Sequence, residues 1–407
     1  MDSSTGASPD VLIAGAGPAG SATAALLAAA GFRVTVADRA AFPRDKPCSE
    51  FMSPEALRVL DRLGVLAELE PLGAPLEGLA VTGARGARLE GSFRRAGHEP
   101  FRDTGLSISR LRLDAALARA AGKAGATLLE RTAVENLTYE GGAVSGAVVR
   151  DASGRRRVIH ARLTIGADGL RSVVARRLGG RRGGRPRRIA FTAHAEGIEG
   201  LGRHAEMYVG ERGYAGLNPI GGGVTSVALV VPQADARPAR GRVTAFFCNA
   251  LDGFPGLHGR VRPERLVRRV LVTGPFAAWS GRVSAPGAAL VGDAADFFDP
   301  FTGEGICSAL RGAEMLAVVA ADALSQAGAV TEARLAPYRR ARHRAFAGKW
   351  AVERLIGYGM WFPRLFDHAV ARLGRKPGMA DTMIGVTGDF VPARAVLNPA
   401  FLARMVL

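Results

Sequence analysis

Cysteine is scarce in this sequence: Cys48, Cys248 and Cys307 stand far apart in 407 residues. Their odd number and the lack of any CxxC pair exclude a disulfide framework and a structural zinc site, and fit a reducing, cytoplasmic setting. The seven histidines form no HxxxH or HExxH pair, so no metal is indicated. No apolar run reaches the length of a membrane span, and polar Met1–Asp10 lacks the basic, apolar and small-residue regions of a secretory signal. Acidic residues are outnumbered, 37 against 54 lysines and arginines, which leaves a net charge of +17. Nearly all the cations are arginine, a bias that speaks of composition as much as of function. The densest cluster, Arg176 to Arg188, is broken by Gly and Pro into a loop, either a solvated one or one that attracts an anionic ligand. No reading motif or aromatic-interleaved basic stripe accompanies it, so nucleic acid is not an expected partner.

What the chain does contain is the composition of a globular protein long enough for two or three domains, 48% hydrophobic and 22% charged. Its organising stretch is Val11 to Asp38. A short apolar strand, Val11 to Ala14, leads into Gly15, Gly17 and Gly20 in GxGxxG spacing, with Pro18 and Ala19 inside the motif. An Ala/Leu-rich helix follows and stops at Gly31. A second strand, Val34 to Ala37, ends in Asp38. Glycines let a pyrophosphate approach the backbone, a helix N-terminus favours its charge, and a carboxylate at the second strand's end can accept hydrogen bonds from a ribose.

In the segment that follows, Pro43 and Pro47 hold a crossing stretch that carries Cys48, Ser49 and Glu50 past the place where a ligand would lie, although a cysteine between prolines also fills small core gaps. An amphipathic helix is expected from Pro54, capped by Ser53. Ser107 to Leu117 reads as a strand end passing into a helix with Arg110 at the junction, where a guanidinium can meet a phosphate. Two strands surround the Gly141-Gly142 turn, and a third is expected from Val158 to Ile165, ending in Ala167-Asp168-Gly169. From Ile189 the period shifts to two: IAFTAHAEG, AEMYVG, TSVALVV and TAFFC read as strands of an antiparallel sheet. In it Tyr214 either faces a ligand or is a buried tyrosine with a partner for its hydroxyl. Another buried strand, Ala289 to Val291, ends in Gly292-Asp293, and Thr302 to Gly305 opens a helix whose amides suit a group that becomes anionic on reduction. The tail is helical, and its aromatic patch (Trp350, Leu355, Tyr358, Met360, Trp361, Phe362, Phe366) fits interior packing, a lid or a peripheral membrane contact.

Together VLIAGAGPAG with Asp38, TIGADGLRS (164–172) and LVGDAADFFDPFTGEGI (290–306) resemble the three fingerprints of the FAD-dependent superfamily of aromatic hydroxylases, geranylgeranyl reductases and flavin halogenases. The resemblance implies an α/β protein with a discontinuous Rossmann-like FAD-binding domain (1–75, 105–185, 275–335). A β-sheet substrate domain (76–104, 186–274) and a helical C-terminal region (336–407) complete it. It places Gly15, Gly17 and Gly20 under the FAD pyrophosphate and Asp38 at the adenosine ribose. Asp293 with Gly292 falls at the ribityl or pyrophosphate region, and Gly303, Gly305 and Ile306 by the pyrimidine end of the flavin. Arg110, in an RxxLDxxL pattern, helps to hold FAD, and Asp168 lies near FAD and the pyridine nucleotide. Arg39, Cys48, Ser49, Val134 and Pro300 join the same cofactor set. Local motifs such as Lys46-Pro47-Cys48 look most like geranylgeranyl reductases, but Ser49-Glu50-Phe51 stands where those carry glycines. YAGLNP (214–219) lacks the tryptophan and phenylalanine of their YxWxFP strand.

The expected activity is an NAD(P)H-driven monooxygenation of a lipophilic aromatic, polyketide-like or isoprenoid small molecule, of the kind met in secondary metabolism. Tyr214, Cys48 and Glu50 are the candidate catalytic side chains. A reductase that saturates C=C bonds of a polyprenyl or polyketide substrate is the alternative, then a flavin halogenase, and from another class a non-catalytic flavin-binding partner.

Overall fold

The computed structural model describes residues 8–406; Met1–Ala7, and with them most of the segment read for a signal, lie outside those residues. Six strands form the first sheet, in the order Ser284–Ala285, Ala288–Leu290, Leu163–Gly166, Val11–Ala14, Val34–Ala37, Thr127–Leu129. All pairs are parallel except the first. Val11–Ala14 is buried on both faces, which is why it reads as an unbroken apolar run. Val11 and Ile13 point into one core with the helices Pro18–Ala29 and Gly305–Ser325. Leu12 and Ala14 point the other way, into a core shared with the ribbon Ala133–Glu140, Ala143–Arg150, Arg156–His160. Helix layer, sheet and ribbon make a three-layer α/β body.

The second sheet has seven strands, in the order Leu271–Thr273, Arg188–Glu196, Val224–Pro232, Gly213–Pro219, His204–Gly210, Gly78–Thr82, Arg88–Ser92. It is antiparallel except where His204–Tyr208 runs parallel to Gly78–Thr82. One face buries Phe191, Ala193, Leu217, Val227 and Leu229 under the helix Val243–Asp252. The opposite face turns Ala190, Tyr214 and Val230 toward the first sheet, and the helices Glu332–Gly359, Pro363–Gly374, Pro377–Thr387 and Pro399–Val406 close this side.

Three local expectations are corrected. TAFFC is not a strand: it belongs to the helix Val243–Asp252, where Phe247, Cys248 and Leu251 are buried at helical spacing. A short apolar run is ambiguous, and the residue that decides the period, Leu251, lies beyond it. The expected strand Val158–Ile165 is two, because the chain leaves the ribbon after His160 and joins the parallel sheet at Leu163. Ser53 precedes the helix Pro54–Arg62 but makes no side-chain cap; its hydroxyl donates instead to Glu304 (3.3 Å).

The two sheets are tied by a buried ion pair. Arg188 opens its strand and donates to Asp299 (2.7 Å) and to the Gly357 carbonyl (3.2 Å), and the Tyr214 hydroxyl donates to the second Asp299 oxygen (2.6 Å). One side chain thus joins the second sheet, the loop after the first sheet and the C-terminal helices. Arg188→Met leaves Asp299 without its cation, and urea unfolding is expected to show a loss of about 3–5 kcal/mol.

Candidate functional site

Between the two sheets lies an open cavity of about 1200 Å³. Every sequence-selected site residue lines it except Gly20 and Glu50. Gly15, at φ +95°, sits so close to the third strand that a Cβ would stand 2.6 Å from the Ala167 carbonyl. Gly20 packs the helix on its own strand; a Cβ there would stand 1.8 Å from the Gly15 carbonyl. Gly17 differs from both: its Cβ would enter the cavity, with only the tips of Arg44 and Arg110 within 4 Å. The helix that starts there has no side-chain cap, so its first amides face the cavity as an anion-binding end.

Asp38 lies at the expected end of the second strand, yet its carboxylate already accepts from the amides of Ala16 and Ala40 (both 2.8 Å). It braces the glycine loop as well as lining the cavity beside Arg39 and Val134. In the middle of the cavity Arg44, Lys46 and Arg110 converge. Arg110 grips Asp114 with two hydrogen bonds (2.7 and 2.8 Å), and Arg44 reaches the same buried carboxylate at 2.8 Å. One carboxylate serving two guanidiniums leaves positive charge beside the glycine helix. Burial lowers the Lys46 ammonium and the neighbouring Arg110 adds to the shift. Burial raises the Asp293 carboxyl, which Lys46 and Arg110 oppose. Asp168 caps the short helix Val173–Arg177 at Val173 N (2.6 Å), with its other oxygen buried and unpartnered.

At the far end, Gly303 (φ +71°) packs against Phe51, where a Cβ would come within 2.7 Å, and Gly305 and Ile306 open the long helix. Cys48 lines the cavity nearby, its sulfur accepting from the Glu50 amide at 3.3 Å. Tyr214 contributes its ring to the wall, but its hydroxyl is held by Asp299, and burial pushes its pKa well above the usual value. Glu50 faces away from the cavity. Fully buried at φ +67°, it accepts from the Arg110 amide (2.9 Å) and pairs with His194 Nε2 (2.7 Å), so it anchors the Cys48 loop rather than meeting a ligand.

Sequence reasoning gave no role to Arg44, Lys46 or Glu304. The first two stand in PRDKPC beside Cys48, a basic pair flanking a predicted ligand crossing. Glu304 lies between the two glycines of the helix start and is 3% exposed. Ser53 and Lys349 (3.4 Å) contact one of its oxygens; the other has no partner. Burial raises its pKa to about 7 despite Lys349. It borders a second, polar cavity of about 30 Å³ with Asp296, Asp299, Ser308, Arg342 and Glu353, which has room for an ordered water.

The large cavity suits FAD. The backbone cradle at Gly17 is open where a pyrophosphate would lie, cations surround it, and a helix start faces the opposite end. Its volume exceeds the roughly 300–1,000 Å³ of an ordinary small-molecule pocket, which leaves space for a substrate beside the cofactor. Among the described residues no group of three or more His, Cys, Asp or Glu could hold a metal ion.

Comparison with known proteins agrees. A family model described as an FAD binding domain matches residues 8–352. Over 94% of its length the chain is 27% identical to menaquinone reductase of Mycolicibacterium smegmatis, covering 92% of that protein. It is 32% identical to menaquinone reductase of Mycobacterium tuberculosis over 74% of this chain and 73% of that one. The solved flavin-dependent brominase Bmp2 superposes with a TM-score of 0.81 at 20% identity, covering 97% of this chain and 98% of the other.

Two outcomes are expected. Gly17→Ala meets no backbone strain and only ordinary contact with the tips of Arg44 and Arg110, so it should keep its melting temperature as apo-protein while binding FAD roughly tenfold more weakly, about 1.4 kcal/mol, by fluorescence titration. Glu304 has a folded pKa of about 7 against an ordinary 4.5, so its contribution to stability is present below pH 4.5 and is lost as pH rises through 7. Across that window the difference in unfolding free energy between Glu304→Gln and the wild type should therefore move by up to about 3 kcal/mol in the variant's favour.

Proposed function

Because the chain belongs to the FAD binding domain family of FAD-dependent oxidoreductases, we propose that it is a flavin-dependent reductase that saturates a C=C bond of an isoprenoid lipid, with NAD(P)H as the electron donor. The observation that carries this reading is the cavity wall contributed by the seven-stranded sheet. Gly216 and Ala228 are paired across adjacent strands there, next to the pair Tyr214 and Val230, and leave a smooth slot. Most polar side chains on the wall are already engaged: Tyr214 with Asp299, Asn218 with Ser107 and with the Ser49 carbonyl, Glu206 with Tyr208 and Arg260, and Thr192 with Arg268. Such a surface holds a hydrocarbon by shape, and the one carboxylate the sheet adds to it, Glu206, is held by Tyr208 and Arg260. The relatives that share 27–32% identity over most of the chain bear the name of a reductase of menaquinone, which supports the same reading.

When bound, FAD supplies hydride chemistry between nicotinamide and substrate. The protein's own share is positional and protonic. The glycine helix and the Arg44, Lys46 and Arg110 cluster would hold the pyrophosphate. Phe276, Phe297 and Phe301 add apolar surface to the slot. Saturation of a double bond requires a proton for the second carbon, and two groups can hold one: the Cys48 thiol at the cavity wall, and the Glu304 carboxyl, which borders the small polar cavity and stands in the chain between Gly303 and Gly305 of the large one.

Oxygen decides between this reading and the monooxygenase expectation. With oxygen excluded, NAD(P)H and a polyprenyl quinone should give a product that stays heavier by two hydrogens after its quinone head has been reoxidised in air. A product that gains an oxygen atom, formed only in air, would overturn the proposal. Cys48→Ala is expected to retain FAD and lose roughly a hundredfold in turnover.

A further inference from the structure

The face built by the end of the helix Glu332–Gly359, the start of Pro363–Gly374 and the Arg181–Arg188 loop is unlike the rest of the surface. Trp361, Phe362 and Leu365 are 51%, 62% and 49% exposed, and Leu355, Tyr358 and Trp279 are exposed beside them. These residues form one patch. Tyr358 packs edge-on to Trp361 (5.3 Å) and donates its hydroxyl to the Arg185 carbonyl (3.1 Å), and a Cβ on Gly184 would lie 2.4 Å from the Trp279 ring. Arginines rim it: Arg182, Arg185, Arg187, Arg354 and Arg364 are all exposed. No acidic residue occurs between Gly169 and Ala195 or between Arg354 and Phe366. Large apolar side chains at this exposure and density cost solubility unless something covers them.

We propose that this patch docks on the surface of an anionic lipid bilayer. Trp, Tyr and Phe side chains surrounded by arginine suit the headgroup boundary, where rings bury their apolar bodies and guanidiniums meet phosphates. A nucleic acid would use the arginines but leave Phe362 and Leu365 in water. A second copy of the chain would bring five more arginines against the same five. No helix among the described residues is long and apolar enough to cross a membrane, so the contact is peripheral. The patch lies one ring away from the slot. Phe366, on the helix that carries Leu365 and begins just after Phe362, packs edge-on against Phe301 (6.2 Å), and Phe301 lines the cavity. Docking here would bring the bilayer to the cavity wall, which deepens the reading of a lipid substrate and rests on that reading only for this consequence.

The FAD-loaded protein should float with vesicles of phosphatidylglycerol and phosphatidylcholine, release as salt is raised, and stay in solution with vesicles of phosphatidylcholine alone. Trp361→Asp combined with Phe362→Asp should abolish flotation with flavin content and melting temperature unchanged. Replacing Arg182, Arg185 and Arg187 by Ala should weaken it roughly fivefold per arginine. Equal binding to both vesicle types, or flotation that survives the Asp pair, overturns the proposal. So does a dimer that the Asp pair dissociates, or tight DNA binding that it does not affect. Because binding is read without turnover, failure of the reductase reading would leave this result standing, and the converse also holds.

Discussion

The approach of a helix to two strands, closer than any side chain would permit, is the constraint on which the molecule depends. At Gly20 the helix backbone rests on the Gly15 carbonyl, and at Gly15 the loop rests on Ala167 at the end of the third strand. Those contacts fix where the helix axis points. Its uncapped amides therefore open into the cavity rather than into solvent, and the Asp38 carboxylate, by accepting from the Ala16 amide, keeps the loop in that posture. The rest of the binding end is arranged around this fixed point.

Buried charge is used in the same way, as fastening. Glu50 is held at a left-handed backbone conformation by the Arg110 amide and by His194 from the opposite sheet, and its own amide reaches the Cys48 sulfur. The pair of Arg188 and Asp299 fastens the other side of the cavity. Desolvated charges of this kind add little net stability for their cost, but they allow one arrangement of the sheets and penalise others. Ionic side chains, as well as apolar packing, therefore join the two sides of the slot. Peripheral docking at the aromatic patch would act on the same fastened assembly, since Arg188 also holds the carbonyl of Gly357, next to Tyr358.

Much of this was legible in the order of residues. GxGxxG between a strand and a helix, Asp-Gly after a second strand and Gly-Asp after a third each carry a local reason for their residue types, and these segments line one cavity, Gly20 beneath it. The readings that failed share a cause. TAFFC lacked the one residue that sets the helical period, Ser53 found a distant carboxylate before its own helix amides, and the run through Ile165 was divided between two sheets. Glu50 looked like a ligand-facing carboxylate because nothing local announces that His194, 144 residues away, will claim it.

The sequence by itself determined the parallel sheet, the glycine cradle and the class of cofactor it fits, because backbone clearance and strand burial are properties of neighbouring residues. Tertiary structure alone decided which polar side chains remain available to a ligand. A carboxylate or hydroxyl bonds to whatever donor or cation folding brings within about 3 Å. For Tyr214, Glu50 and Glu304 those partners, or the lack of one, come from segments remote in the chain.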